Sequence, residues 1–317
     1  MAAGVPAAAR STLAPPAAAR GKRFLPMNAA PLLRRLLWAL LLTPLVVLLG
    51  CREAPTPDPD VLRFAAIPDQ SLDHVLRQHQ ALMDRVCGAA QRRCRWVPVD
   101  SYEALVDRFG RGEVDFAYFG AATFAQAWQR HGAVPLVMRD VDFRFTSVIL
   151  VRRDSPLRGL ADLRQRRFSF ANRNSTSGHY MLRQRLADVQ LVPERDFASV
   201  SYSVDHDTAM RALADGEVDA AGVNAIVFYR RMAAGDPAAS ALRVLWQTPP
   251  FTDYVWAARA ALSAPLRQRL VDAFLDLDIA SEADRAALRA EGAGGFVPAF
   301  PEDFEEVLAV LRAQGKL

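Results

Sequence analysis

The sequence holds no Gly-x-Ser-x-Gly elbow and no His-Glu-x-x-His pair. Their absence removes the commonest settings for a hydrolase serine and a protease zinc. Cysteine is scarce, three in 317 residues, and lysine stands only at positions 22 and 316. His74 and His79 form no ligand-like pattern with Cys87 and Cys94, so no metal site is expected. Acidic residues are missing from positions 1–50, which hold Arg10, Arg20, Lys22, Arg23, Arg34 and Arg35. Of the chain's 39 basic residues, those six account for its formal charge of +4; the remaining 33 face 35 acids. A body so close to neutral lacks the clustered positive charge that nucleic-acid binding requires. No apolar run is long enough to span a bilayer, which takes about 20 residues.

What is present at the N-terminus follows an export pattern. From Met27, the expected true start, a basic pair (Arg34, Arg35) precedes an apolar run from Leu36 to Leu49, and Leu48-Leu49-Gly50-Cys51 follows. This resembles a bacterial lipoprotein signal with its lipobox, cut before Cys51, which is then acylated. The resemblance implies a signal peptide over 1–50, a lipidated tether over 51–60 stiffened by Pro55, Pro57 and Pro59, and a body held at a periplasmic membrane face. With Cys51 so used, Cys87 and Cys94 remain, and two cysteines in an oxidising compartment predict a disulfide.

The body reads as alternating strands and helices. Strands are expected over 62–67, 95–99, 114–119, 145–151, 168–171, 198–201, 244–248 and 255–258, with helices between them, the pattern of α/β layering. The unit repeats. Residues 102–115 align with 206–219, each a helix running into Gly-Glu-Val-Asp and a strand, 104 positions apart. Tyr102 and His206 thereby occupy matching helix starts beyond strand ends, the edge where open α/β sheets bind ligands. Gly292-Ala293-Gly294-Gly295 follows no strand of a βα unit and reads as a turn.

Between the two copies lies the most informative stretch, where the strand 168–171 enters Asn174-Ser175-Thr176-Ser177-Gly178 and a helix opening near Gly178. One hydroxyl suffices to cap a helix. Consecutive hydroxyls beside unpaired helix N–H groups, with Gly allowing close approach, suit a bound anion.

Asn174 to Gly178 after a strand resembles the anion-binding loop of the PhnD-type phosphonate, phosphite and phosphate-binding proteins of ABC transporters. The likeness extends over 62–312 through Asp100-Ser101-Tyr102, Ser147 to Val151 with Asp154-Ser155-Pro156, His206-Asp207, Val218-Asp219 and Asp253-Tyr254-Val255-Trp256. It implies a two-lobed periplasmic-binding-protein type II fold: two mixed, mostly parallel sheets with helices and two crossover hinge strands. Lobe 1 would comprise 61–144 and 250–317, and lobe 2 would comprise 145–249. Ser175, Thr176 and Ser177 would hold the oxyanion, Tyr102 and His206 would donate to it across the cleft, and Phe145 and Asp253 would lie at the crossovers. The implied partners are a small phosphorus oxyanion, an ABC permease and ATPase complex, and the membrane through Cys51. The protein would be a monomer with no cofactor, no metal and no catalysis.

Two departures bear on the ligand. Phe145 stands where the family carries an aromatic hydroxyl, and Ile226, after Asn224, where members that take aminoalkylphosphonates carry an acid. An apolar or absent substituent fits better than an amine. Two other readings share these residues: a ligand-sensing lipoprotein of the same fold, and a hydrolase using Ser175 or Ser177 with His179 or His206 and Asp207 or Asp253.

Overall fold

The computed structural model describes Asp58 and residues 60–317. The expected signal segment 1–50, the lipidation site Cys51 and nearly all of the tether 51–60 lie outside the described residues. Two sheets organise the body. The larger comprises β1 (Val61–Ala66), β2 (Arg93–Trp96), β3 (Phe116–Phe119), β4 (Val134–Arg139), β10 (Val255–Ala258) and β11 (Phe296–Pro298), in the order β11-β4-β10-β3-β1-β2. The smaller comprises β5 (Ser147–Arg152), β6 (Arg167–Phe170), β7 (Ser199–Tyr202), β8 (Ala220–Asn224) and β9 (Leu242–Gln247), in the order β7-β6-β8-β5-β9.

Both sheets are mixed. In the first, β1 runs parallel to β2 and β3 while β10 runs antiparallel to β3 and β4. In the second, β6 runs parallel to β7 and β8 while β5 runs antiparallel to β8 and β9. Each sheet therefore takes its reversed central strand from just beyond a crossover between the lobes.

The repeat seen in the sequence is a repeat in space. Helix α1 (Leu72–Ala89) follows β1 and helix α2 (Tyr102–Gly110) follows β2. The later helix that aligns with α2 covers His206–Ala214. Gly112 and Gly216, just past these matching helix ends, have φ of 74° and 77°. Gly accepts this left-handed turn without a Cβ clash, which explains the first letter of Gly-Glu-Val-Asp. Its last letter is an anchor. Asp115 accepts from the Arg63 backbone at 2.8 Å and its guanidinium at 2.7 Å; Asp219 accepts from Arg167 in the same way at 2.9 and 2.7 Å.

Helix α1 buries Val75, Gln78, His79, Leu82, Met83, Val86 and Cys87, a stripe at helical spacing, against the large sheet and the C-terminal helices. Cys87 at its end and Cys94 on β2 have Cα atoms 5.9 Å apart, within the span a disulfide bridges, and their sulfurs meet. Strand β2 spans Arg93–Trp96, starting and ending earlier than the expected 95–99.

The crossovers run side by side. Phe145 and Phe251 exchange backbone hydrogen bonds of 2.8 and 2.9 Å, and the Asp253 N–H donates to the Asp142 carbonyl at 3.1 Å. Phe145 is thus held by the other crossover, and β5 begins two residues later, at Ser147. The large-lobe core also takes in Tyr180 and Met181 from the small-lobe segment, with Ile226 packed on it. The lobes stand closed on one another.

Candidate functional site

The hydroxyl stretch forms one π-helical turn, Thr176–Tyr180, capped by Ser175. The turn opens two residues before the expected start at Gly178, because extended Ser175 lets its Oγ accept from the Gly178 N–H at 2.9 Å. Thr176 and Ser177 therefore sit on the first turn itself, both buried. Gly178 is required by space: a Cβ there would lie 2.4 Å from the Ala171 Cβ and 2.9 Å from the His206 Cε1.

The small lobe's turn meets the start of helix α3 (Ala121–His131) in the large lobe. The Ala122 N–H donates to Thr176 Oγ1 at 3.0 Å, and the Ala121 N–H donates to Asp253 Oδ1 at 2.9 Å. The Tyr254 N–H donates to the same carboxylate oxygen at 2.9 Å. Burial pushes Asp253 up to about 7, while these donors pull it back down. Gly120 caps the helix without a side chain, and the first two amides instead take Asp253 and Thr176 as partners.

Tyr102 and His206 are the first residues of α2 and of the helix over His206–Ala214. The caps match too: Ser101 Oγ accepts from the Ala104 N–H and the Asp205 carboxylate from the Thr208 N–H. Burial, reinforced by Asp69, holds the Tyr102 phenol well above its ordinary value, so it stays a neutral donor; the nearby Ser175 side chain pulls the other way. Burial likewise lowers the His206 pKa, keeping the ring neutral. Its Nδ1 accepts from the Asn224 N–H at 3.2 Å, which puts the ring's one hydrogen on Nε2.

Two of these buried groups have no protein partner: the Ser177 hydroxyl and His206 Nε2. Leaving a buried polar group unpaired costs about 1–3 kcal/mol. Both are donors, so an acceptor entering here recovers that energy. Phe145 behaves differently. It is buried with its ring 5.8 Å from Phe251 and 5.4 Å from Tyr254, and it offers only packing.

The structure therefore gathers Tyr102, Ser175, Thr176, Ser177, His206 and Asp253 around Gly178 and Gly120, with Phe145 one ring away. A Ser–His–carboxylate chain is not what they form. His206 Nδ1 faces a backbone amide, the His179 nitrogens face the Arg173 carbonyl, Arg183 and Tyr202, and Asp207 is bound by Arg231. Sequence reasoning missed the start of α3, and with it Gly120 to Ala122, although Phe119-Gly120-Ala121 is a strand–glycine–helix junction. It also gave no role to Asp69 or Tyr254.

The family model described as ABC transporter, phosphonate, periplasmic substrate-binding protein matches residues 64–304. The chain belongs to this family. It is a periplasmic substrate-binding protein of the phosphonate, phosphite and phosphate class of ABC transporters, with the type II fold. A probable ABC transporter phosphite-binding protein of Prochlorococcus marinus is 26% identical over 82% of this chain and 92% of its own. A phosphate-import protein of Mycolicibacterium smegmatis is 24% identical over 81% and 87%. The Prochlorococcus protein solved with methylphosphonate superposes with a TM-score of 0.77 at 26% identity, covering 82% of this chain and all of that one (100%). A phosphonate-transporter component from Pseudomonas aeruginosa gives a TM-score of 0.73 at 19% identity over 82% and 88%.

Proposed function

We propose that this phosphonate-family protein captures a small phosphorus oxyanion (phosphonate, phosphite or phosphate) in the cleft between Thr176 and the start of α3, without catalysis. The observation that carries this reading is the pair of buried, unpartnered donors, Ser177 Oγ and His206 Nε2. With Tyr102 and the hydroxyls of Ser175 and Thr176 they offer neutral donors from both lobes, so closing the lobes completes the ligand's hydrogen-bond shell. Ile226 is apolar and packs on the large-lobe core, which favours a ligand with an apolar substituent or none.

The lobes are assigned as 61–144 with 250–317, and 145–249. The body is monomeric, carries the Cys87–Cys94 disulfide and is tethered to the membrane by lipid on Cys51. It delivers its ligand to an ABC permease and ATPase. Thermal-shift screening of the mature protein against phosphate, phosphite, methylphosphonate, 2-aminoethylphosphonate and sulfate tests the reading. At least one of the first three raises the melting temperature, the shift growing with the logarithm of its concentration above the Kd. A shift with sulfate alone, or with none of the five, overturns it.

A further inference from the structure

Tyr254, immediately after Asp253, has a φ of 44°. A bulky residue holds this left-handed conformation only where its surroundings impose it. Here the ring stacks on Tyr118, centroids 5.1 Å apart and planes at 12°, and is flanked by Phe145. Its hydroxyl donates to Asp69 Oδ2 at 2.6 Å and accepts from Asn224 Nδ2 at 3.0 Å. The Asn224 N–H donates to His206 Nδ1, and the His206 N–H donates to the Asp69 carbonyl at 3.1 Å. These bonds close a ring of four buried residues. Asp69 and Tyr254 belong to the large lobe, Asn224 and His206 to the small one.

We propose that Tyr254 is a positioning residue that makes lobe closure and the presentation of the His206 Nε2–H a single event. This inference rests on the oxyanion reading of the cleft. The one hydrogen of the Tyr254 hydroxyl is committed to Asp69, so Tyr254 acts through its neighbours and does not donate to a ligand. Both interlobe bonds of the ring end on groups that set the imidazole. Asn224 fixes Nδ1 as the acceptor, and the Asp69 carbonyl holds the His206 backbone. Parting the lobes breaks both bonds, and a ligand held by Nε2 favours both; the coupling is reciprocal.

The test compares wild type with Tyr254→Phe, which keeps the ring stack and removes the hydroxyl. Calorimetry with whichever of methylphosphonate, phosphite and phosphate the wild type binds should show binding weakened by about 10- to 100-fold, the usual effect of unpairing buried polar groups. Nitrogen-15 NMR of the His206 ring should change from the Nε2–H tautomer alone to a mixture, and X-ray scattering should show a more open ligand-free form. Asn224→Asp keeps the oxygen that caps the next helix through Val227 and replaces the amide donor with a carboxylate oxygen that cannot donate when ionised. It should reproduce the loss. Affinity within about twofold of wild type in Tyr254→Phe, or weakened binding with an unchanged His206 tautomer, overturns the inference alone. Wild type that binds none of the three probes overturns the oxyanion reading and this inference with it.

Discussion

The Thr176 hydroxyl and the Ala122 backbone amide meet across the cleft at 3.0 Å, joining the first turn of one lobe's helical segment to the first turn of the other's. Two helix N-termini are thereby brought nose to nose, each with the positive end of its dipole turned to the same point. Asp253 is the acid that settles there.

Removing the Thr176 hydroxyl orphans the Ala122 N–H. Thr176→Ala should weaken oxyanion binding by about 1–3 kcal/mol, and Thr176→Ser should restore most of it. Isothermal calorimetry with the best ligand of the screen checks both. Equal affinity in Thr176→Ala would exclude the hydroxyl from the site.

The buried Asp253 makes stability depend on pH with a definite sign. Its carboxyl titrates at about 7 in the folded chain, above the ordinary 3.8. A raised acid supports the fold fully below the unfolded value, and that support is lost as pH rises through the folded one. Ligand-free protein should lose stability from about pH 4 to pH 7, by up to roughly 4 kcal/mol at 1.36 kcal/mol per unit. Asp253→Asn keeps the acceptor for Ala121 and Tyr254 and should flatten this slope. Melting curves across the range decide it; a wild-type stability that rises over the same window contradicts the assignment.

By its resemblance to the family, Ile226 stands where members that take aminoalkylphosphonates carry an acid. Ile226→Glu should add measurable binding of 2-aminoethylphosphonate while weakening that of methylphosphonate, because a carboxylate then faces the substituent. Competition calorimetry with the two ligands reads the exchange directly.

The Cys87–Cys94 bridge joins the end of α1 to β2 across a short loop. Replacing both with Ser should lower stability by about 2 kcal/mol, the chain-entropy value for so small a ring. Urea unfolding with and without reductant measures it, and wild type unaffected by reductant would mean that the bond does not form.

Much of this was legible in the residues. The Gly-Glu-Val-Asp repeat announced two lobes of like topology because a left-handed Gly and an Arg-binding Asp are needed at the same place in each. Ser175 to Ser177 stood out because capping one helix needs only one hydroxyl. The start of α3 did not stand out, since backbone amides leave no side-chain signature and Gly120-Ala121-Ala122 carries no polar atom to notice. Tyr254 was hidden for another reason. Its left-handed φ is imposed by Tyr118 and Phe145, and its partners Asp69 and Asn224 lie 185 and 30 positions away in the chain. Such a ring exists only once both lobes are folded and closed.

The most direct test is a crystal structure of the mature protein with methylphosphonate. The account predicts phosphonate oxygens at about 2.6–3.1 Å from both Ser177 Oγ and His206 Nε2, with the lobes closed as described. A phosphonate bound elsewhere, with those two atoms still unpaired, would contradict it.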